Sequence, residues 1–541
     1  ARIDEYGQPR EVANSEGEYT TPSVVYFSGT ERIVGNEAKN VSVVEKDNVK
    51  TMVKREIGLT NTAFIHDGRS YAPEEISSFI LEKLVKDAQQ SLGIPVNDVV
   101  ITCPAYFGIP EREATRNAGL IAGLNVRDII SEPTAAALAY GIRSGEDQVL
   151  LVYDLGGGTF DITLLEVKGK EFSPIVTGGE RALGGHDWDT VIVNYLIQCW
   201  EDEHGSDSGI KDDLNTLQDL YLKAESAKKT LSTSLTANIA VRYLDRASKV
   251  VLTREKFDEL TAGLLERTIM HTKNVLEDAK KQGYTRFDQF LLVGGSSKMP
   301  QVKAKIIEVF GVEPLLREPD FLVARGAALY GHHLALGDAI MDGLLKKGFK
   351  IDEGTSIKDA VSNPSISDAV QEIAEDISQN NEYFIGIDPK KLVDMATISI
   401  GAITSHSFGV LAWNRENVQK VVNLVKRNDR VPVEISQIFG TRDPNQPAAD
   451  IQVFENDVME HEAEQFQSTE LGMYTLPLPP GLPANSQIEV QMQLDKSGML
   501  TVTARDPFTG KEIQGNLQTN RILSEAEIEE ARRHNRGLSI R

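Results

Sequence analysis

The sequence contains little cysteine and no long apolar run. Only Cys103 and Cys199 occur among its 541 residues, so a disulfide framework is excluded, and we expect two buried thiols in a reducing compartment, which favours the cytoplasm. No apolar run approaches the roughly 18 residues that a membrane-spanning helix needs. The first residues, Ala1 to Gly7, carry no signal-like stretch, lack an initiator methionine and begin in mid-pattern. We therefore expect that the start is truncated.

Positive charge is also scarce. The chain has 57 Lys and Arg against 80 Asp and Glu, a formal net charge of −23. This charge opposes nonspecific binding to phosphate backbones, so nucleic acid is a poor candidate partner. With 40% hydrophobic and 25% charged residues, the composition is that of a soluble globular protein. Its length predicts about three domains.

The most informative segment is a glycine turn between two apolar strands. Val149–Tyr153 leads into Asp154-Leu-Gly-Gly-Gly-Thr-Phe-Asp161, and a second strand, Ile162–Val167, follows. Glycines let backbone N–H groups approach an anion, and flanking carboxylates can hold a hydrated metal. A P-loop or a dinucleotide fingerprint would open a helix here, and none follows. The pattern favours a nucleotide with its Mg²⁺ over an ordinary tight turn.

A second strand that ends in glycines lies about 140 residues downstream. Phe290–Val293 runs into Gly294 and Gly295, and a helix with apolar residues from Val302 to Phe310 follows. Two such elements within alternating β and α segments predict two related α/β lobes that close over one nucleotide.

Three further regions differ in composition. Segments of strand and helix alternate from Tyr19 to about Gly337, whereas 338–394 is rich in Asp, Lys, Ser and Ile and is interpreted as a connector or inserted helical element. Beyond Ala396, short alternating strands predict a β-sandwich. Near the end, Ser524 and Glu527 form a capping-box pattern that predicts a helix start.

Seven motifs, in their order along the chain, resemble those of the bacterial-type 70-kilodalton heat-shock chaperones. They are Val53–Gly58, Pro104–Phe107, Ser131–Ala137, Asp154–Asp161, Leu183–Asp189, Ala224–Lys229 and Val293–Ser296. The similarity covers most of 1–336 and, more weakly, 396–530. It implies an α/β, actin-like, two-lobed ATPase domain (1–337), an atypical connector (338–394), an all-β peptide-binding sandwich (395–522) and the start of a helical lid (523–541).

The resemblance implies four catalytic residues around ATP or ADP, Mg²⁺ and a monovalent cation such as K⁺. Lys54 would orient the water that attacks the γ-phosphate. Glu132 and Asp154 would hold waters around Mg²⁺, and Asp161 would help to hold the monovalent cation and position the attacking water. Without the resemblance, Lys54 would be interpreted as a solvated surface charge.

The same resemblance implies the nucleotide contacts. Backbone N–H groups of Gly156, Gly157, Gly158 and Thr159 would face the phosphates. The adenosine would lie between Glu225, Lys228, Lys229 and Ser232 on one side and Gly294, Gly295, Ser296, Lys298 and Asp320 on the other. Taken alone, Glu225 and Lys229 form an i, i+4 ion pair on a helix.

Two residues would relay the nucleotide state to the sandwich, and four would line its peptide pocket. Pro104 and Arg112 match the relay positions, although Pro104 alone only ends a strand and Arg112 alone is a surface charge. The pocket residues would be Val410, Phe439, Ala449 and Ile451, with Ala449 in place of a bulkier aliphatic residue. The alternative is that these apolar strand residues form the core.

The implied function is that of an ATP-dependent chaperone for short apolar segments of unfolded proteins, acting with a J-domain co-chaperone and a nucleotide-exchange factor. Three features depart from the family. Its first phosphate hairpin should precede Ala1, its short linker is replaced by 338–394 with Lys391–Ile398 as the nearest analogue, and the lid that begins at Leu523 is cut off within about one helix.

Two other readings remain. A nucleotide-binding protein that hydrolyses ATP weakly or not at all, and serves as a co-chaperone or scaffold, stays open as the alternative. A sugar kinase of the same superfamily is disfavoured because no separate sugar site is evident and a sandwich follows.

Overall fold

The computed structural model describes residues 1–59, 62–144, 147–206, 209–351, 357–381, 384–414, 416–495, 499–517 and 523–541. Within these ranges no helix combines the length and the apolar character needed to cross a membrane. The predicted sandwich boundary at 522 lies outside the described residues.

The N-terminal part, up to residue 144, mixes short strands with longer helices. Its elements are β1 Arg2–Ile3, β2 Pro9–Arg10, β3 Val25–Ser28, β4 Glu31–Val34, α1 Asn36–Val41, β5 Val49–Lys50, β6 Phe64–His66, β7 Arg69–Tyr71, α2 Pro73–Leu92, β8 Asp98–Cys103, α3 Ile109–Ile121, β9 Asn125–Ser131 and α4 Glu132–Ser144. Helix α2 begins at Pro73, and Gly93 in the left-handed region follows its last residue, Leu92.

The next part is built on a large sheet. Its elements are β10 Gln148–Leu155, β11 Phe160–Lys168, β12 Glu171–Glu180, α5 Gly185–His204, α6 Leu214–Thr233, β13 Thr236–Tyr243, β14 Arg246–Thr253, α7 Arg254–Lys281, β15 Gln289–Val293, α8 Pro300–Phe310, β16 Leu315–Leu316 and α9 Leu322–Lys346. The six-stranded order is β16-β15-β10-β11-β12-β17, where β17 is Ser399–Ile400. Strand β10 lies between parallel β15 and antiparallel β11.

Both faces of this sheet are covered, which is why β10 is a nearly continuous apolar run. One face packs with α4 and α9 in a cluster that contains Val152, Leu291 and Leu329. The other packs with α5 to α8 in a cluster that contains Trp188 and Phe257. Because β10 and β15 are parallel neighbours, their glycine ends meet at the same edge of the sheet.

The segment after α9 forms helices that pack back onto α9. They are α10 Ile357–Ser362, α11 Ser367–Asn380 and α12 Pro389–Ala396. Helix α9 runs unbroken through Gly337 to Lys346, so the predicted domain end at 337 falls inside a helix. Helix α11 buries Val370, Ile373, Ala374 and Ile377, the i, i+3, i+4, i+7 spacing of an amphipathic helix, in a cluster shared with α9 and α12.

The predicted linker analogue Lys391–Ile398 is mostly helical, because Lys391 to Ala396 belong to α12. The strand comes after it: β17 adds to the large sheet parallel to β12, with Ser399 opposite Glu171 and Ile400 opposite Phe172. The inserted helices therefore lead directly into a strand at the sheet edge.

The C-terminal part is a two-sheet sandwich followed by a short helix. Its elements are β18 Ala402–Ile403, β19 Ser407–Trp413, β20 Gln419–Val425, β21 Arg430–Val431, β22 Val433–Gly440, β23 Ala448–Asn456, β24 Glu462–Ala463, β25 Ser468–Pro477, β26 Gln487–Leu494, β27 Leu500–Arg505, β28 Glu512–Leu517, α13 Glu525–Asn535 and β29 Ser539–Ile540. The sheets β24-β20-β19-β23-β25 and β22-β26-β27-β28 enclose one apolar core. The predicted capping box of Ser524 and Glu527 starts α13.

The sandwich and the C-terminal helix both contact the ATPase-like half. The Arg427 guanidinium donates to the Thr177 carbonyl at 2.6 Å, and the Thr177 N–H donates to Asn428 Oδ1 at 3.1 Å. Helix α13 follows the sandwich back to the N-terminal part, where Asn535 Nδ2 donates to Ser78 Oγ at 2.9 Å. Strand β29 then pairs parallel to β4.

Candidate nucleotide-binding site

The glycine turn forms a hairpin between β10 and β11, as predicted from the sequence. Asp154 and Asp161 face each other across the two strands, and the Gly156 N–H donates to the Thr159 carbonyl at 3.0 Å to close the turn. A Cβ on Gly157 would meet nothing within 4 Å, so this side of the turn is open. The hairpin thus holds two carboxylates at its base and bare backbone at its tip.

The start of α5 packs against one side of the hairpin. The Gly185 N–H donates to the Gly156 carbonyl at 2.9 Å, and the His186 N–H donates to the Gly157 carbonyl at 2.8 Å. A Cβ on Gly184 would lie 2.6 Å from the Gly158 carbonyl carbon, so this approach requires glycine. The carbonyls of Gly156 and Gly157 are therefore directed toward α5.

The opposite side of the turn presents backbone donors. Among the described residues, the N–H groups of Gly157, Gly158 and Thr159 donate to no protein acceptor. Successive unpaired N–H groups in a turn form a concave anion site. This arrangement fits phosphate oxygens. The Gly156 N–H, which was also expected to face the phosphates, instead donates to the Thr159 carbonyl that closes the turn, so that part of the prediction is wrong.

A lysine from the N-terminal part reaches a carboxylate cluster at the base of the hairpin. Lys54 Nζ lies 2.7 Å from Glu132 Oε1, and Glu132 begins α4. Desolvation opposes the ammonium charge, yet the Glu132 carboxylate, followed by Asp161 and Asp154, raises the pKa of Lys54. Lys54 is therefore held charged and paired, although its side chain is 45% exposed.

The two hairpin carboxylates are destabilised by their surroundings. Burial, with the charge of Glu132, raises the pKa of Asp154 to about 7. Burial, with Glu132 and Asp154, raises the pKa of Asp161 well above its ordinary value. Asp161 Oδ1 accepts the Ala105 N–H at 3.0 Å, whereas its buried Oδ2 has no hydrogen-bond partner in the described part of the chain.

This donor set fits a hydrated cation. Three carboxylates face one lysine, and one buried carboxylate oxygen is unpaired, so a cation would relieve both the charge and the missing contact. In the described part of the chain no group of three or more His, Cys, Asp or Glu side chains is arranged to hold a metal ion directly. Glu132 and Asp154 are thus suited to hold Mg²⁺ through water.

The end of β15 completes this edge. Gly294 has a positive φ of 81°, and a Cβ there would lie 2.4 Å from the Leu155 carbonyl oxygen. Gly295 lies beside Asp320, which pairs with Lys298. The second glycine element, with Lys298 and Asp320, therefore adjoins the first.

Helix α6 carries the remaining adenosine-side residues. Glu225 pairs with Lys229 at 2.8 Å and with Lys39 of α1. Although burial opposes it, hydrogen bonds from both lysines lower the pKa of Glu225 to about 2. The Lys39–Glu225 pair joins the N-terminal part to α6.

Lys228 and Ser296 converge on Gly185. Lys228 Nζ donates to the Gly185 carbonyl at 2.7 Å and pairs with Asp189 at 2.8 Å, and a Cβ on Gly185 would lie 2.3 Å from Ser296 Oγ. Ser232, one helical turn further along α6, donates to the Lys228 carbonyl. Lys228 therefore already has two protein partners.

The two relay candidates lie between the carboxylates and the sandwich. Pro104 ends β8, and the next residue, Ala105, contacts Asp161. Arg112 donates to the Ile129 carbonyl at 2.7 Å and is half-buried, so it is not a free surface charge. Ser405 of the sandwich donates to the Phe107 carbonyl at 3.1 Å, which places the Pro104–Phe107 segment in contact with both regions.

The four peptide-pocket candidates lie in or against the sandwich core. Val410, Ala449 and Ile451 are buried in the core cluster, and the half-buried Phe439 packs against it. The structure thus places them where the alternative interpretation expected ordinary core residues. Their role toward a peptide remains a prediction.

Three site residues were missed from the sequence. Arg55 donates to the Gly158 carbonyl, Asp187 pairs with Arg55, and Lys39 pairs with Glu225. Arg55 and Asp187 lie inside motifs that had been recognised, next to residues already selected. Lys39 lies in a short helix without any motif, so nothing in the sequence pointed to it.

Comparison with known protein families gives one match. A family model described as Hsp70 protein matches residues 2–66, 59–348 and 393–538. Residues 349–392, which include α10, α11 and the start of α12, lie between the matched segments.

Proposed function

Because the chain belongs to the Hsp70 protein family, whose members are ATPases with a chaperone function, we propose that it is an ATP-dependent chaperone. ATP binding and hydrolysis in the cleft would control the affinity of the sandwich for short apolar segments of unfolded proteins. The observation that carries the proposal is the hairpin itself. It presents unpaired N–H groups beside a charged lysine and three carboxylates, one of which has a buried unpaired oxygen.

Each group of cleft residues would have a separate role in ATP hydrolysis. The N–H groups of Gly157 to Thr159 bind phosphate oxygens, and their fixed directions offset charge that grows during transfer. Bound Mg²⁺ supplies a charge that neutralises the phosphate oxygens. Lys54 would orient the attacking water. Asp161 would position that water and would also hold the monovalent cation, whose charge would help to offset that of the phosphates. No covalent intermediate with the protein is needed.

Peptide binding is supported by the point in the sandwich where the pairing of two strands ends. Strands β19 and β23 pair from Ser407 to Val410, and among the described residues Leu411 to Trp413 pair with β20 alone. Register shifts occur beside this point, at Phe408/Gly409 and Val453/Phe454. An open strand edge can add an extended peptide through main-chain hydrogen bonds. We therefore place the client segment between β19 and β23.

The contacts between the two halves support coupling. The segment from Pro104 to Phe107 contacts Asp161 near one end and Ser405 at the other. A movement of Asp161 on nucleotide binding could therefore be transmitted to the sandwich through this one segment. Unfolded segments, a J-domain co-chaperone and a nucleotide-exchange factor are the partners that we propose with this activity.

Single-turnover hydrolysis of ATP by the full-length protein tests the proposal. We expect phosphate release that requires Mg²⁺ and stops when EDTA is added. Fluorescence anisotropy with a labelled Leu-rich peptide should give a weaker affinity with ATP than with ADP. Tight ATP binding without phosphate release would favour the scaffold or co-chaperone alternative instead.

A further inference from the structure

Arg55 connects the loop of Lys54 to the phosphate hairpin. It is the last residue of a short 3₁₀ turn, Val53–Arg55, that also contains Lys54. Its side chain is only 19% exposed and points across the cleft. Nε donates to the Gly158 carbonyl at 2.7 Å, and the terminal nitrogens reach Asp187 at 2.5 and 3.3 Å. One side chain thus spans three elements of the site.

The contact with Gly158 determines where one phosphate donor points. The Gly158 carbonyl and the Thr159 N–H belong to one planar trans peptide unit, so they point in opposite directions. A bond that holds the carbonyl therefore also sets the direction of the N–H. The carbonyls of Gly156 and Gly157 are held by backbone N–H groups of α5, whereas that of Gly158 is held by the Arg55 side chain.

Asp187 holds the guanidinium in place from the other side. Its Oδ2 accepts the Gly184 N–H at 2.8 Å and also contacts Arg55. A carboxylate at the start of a helix is favoured by the helix dipole, which helps to fix the position of Asp187. The planar guanidinium can then bond the carbonyl and the carboxylate together, which a lysine ammonium cannot do with the same geometry.

We infer that Arg55 is a positioning residue for phosphoryl transfer. It turns the Gly158–Thr159 peptide so that the Thr159 N–H faces the terminal phosphate, and it holds Lys54 in register with the hairpin. This inference rests on the proposed ATPase function. It assigns a separate role to a residue that does not itself contact the reacting atoms.

The test compares Arg55→Met, Arg55→Lys and a matched control, Arg69→Met. Arg69 pairs with Glu75 in the same lobe at 2.5 Å and makes no described contact with the hairpin. We expect Arg55→Met to lower kcat by about 10- to 100-fold, somewhat less than the loss of one transition-state donor. Because the donor faces the terminal phosphate, ATP affinity should fall at least fivefold more than ADP affinity. Arg55→Lys should recover part of this loss, and Arg69→Met should leave kcat and the affinity ratio unchanged.

A double-mutant cycle with Asp187→Asn adds a second measurement. Since the two side chains act as a unit, their effects on the ATP to ADP affinity ratio should be less than additive. Hydrogen exchange should also show faster exchange across the hairpin in Arg55→Met without nucleotide.

The outcomes separate the two proposals. If the wild-type protein hydrolyses ATP and Arg55→Met lowers only the melting temperature, with the ATP to ADP affinity ratio intact, Arg55 is structural and the inference is overturned while the function stands. If the wild-type protein neither binds nor hydrolyses ATP, the proposed function fails and the inference fails with it.

Discussion

The nucleotide cleft and the sandwich core satisfy their buried groups in opposite ways. In the cleft, three backbone N–H groups and a buried Asp161 oxygen lack partners among the described residues, and the pKa of Asp154 is raised to about 7 by burial and Glu132. In the sandwich, Val410, Ala449 and Ile451 are buried in the core between two sheets. The cleft therefore presents polar groups that a charged ligand could pair with, whereas the sandwich core is packed with apolar side chains.

This difference indicates which kind of ligand each region could bind. Unpaired polar groups cost free energy until a ligand pairs with them, so they select a ligand of matching charge. A packed apolar core does not select a ligand in this way. A peptide would have to bind where strands β19 and β23 separate. Single substitutions in the cleft should therefore alter ATP binding or hydrolysis, whereas single substitutions in the sandwich should act through side-chain packing.

The largest effect is expected from Asp154→Asn. The amide keeps the shape of the carboxylate but loses the charge that holds hydrated Mg²⁺. We expect Mg²⁺-dependent ATP turnover to fall by roughly 100-fold or more, while the circular dichroism spectrum stays that of the wild type. Turnover at the wild-type rate would show that Asp154 is not part of the site. The proposed difference between the cleft and the sandwich would then fail.

Lys54→Ala should separate hydrolysis from binding. Lys54 is proposed to act on the water and the γ-phosphate, whereas the adenosine is proposed to lie near α6. We expect phosphate release to fall about 10- to 100-fold and ADP affinity, measured by calorimetry, to change less than about threefold. Equal losses in both would show that the Lys54–Glu132 pair only holds the lobes together.

A half-buried histidine of α9 gives a third test, in a region without a proposed ligand. The His332 ring lies 4.5 Å from that of Phe384, and its buried Nε2 has no hydrogen-bond partner among the described residues. Burial, with the neighbouring His333, lowers the pKa of His332 to about 4. The unfolded chain therefore binds the proton first, and this group costs stability as pH falls from about 6.5 toward 4.

His332→Phe should remove that dependence. Between pH 7 and pH 5 we expect the wild-type protein to lose up to about 2 kcal/mol of unfolding free energy relative to the variant. Denaturant titrations at both pH values provide the measurement. A constant difference between the two proteins would mean that His332 stays solvated or finds a partner when protonated.

The smallest effect is expected in the sandwich, from Ala449→Phe. If the point where β19 and β23 separate admits a peptide side chain near Ala449, the added ring should weaken a Leu-rich peptide by about 1 kcal/mol or more. Ala448→Phe is the matched control, since the adjacent strand residue points to the other face. Anisotropy should show weaker binding for Ala449→Phe alone.

Two results would contradict that prediction. A lower melting temperature with unchanged peptide affinity would identify Ala449 as an ordinary core residue that tolerates no larger side chain. Failure of the wild-type protein to bind any apolar peptide would make the sandwich an interaction module of another kind.

Local patterns predicted much of the ATPase half. The apolar run of β10 and the glycines after it depend on residues that are neighbours along the chain, so they can be predicted from the sequence. The inserted helices were recognised only by composition. Their packing on α9 depends on contacts such as that between Gly343 and Ile373, and these have no signature within a single segment.

The sequence by itself determined the elements and the chemical types of the site: a glycine hairpin with acids at its base, a second glycine end, and an alternating β region. Tertiary structure alone decided which groups remain unpaired. It brought Arg55 to Gly158, Lys39 to Glu225 and the strand after α12 to the edge of the large sheet. The reason is that backbone conformation follows from neighbours along the chain, whereas burial and pairing depend on residues that meet only after folding.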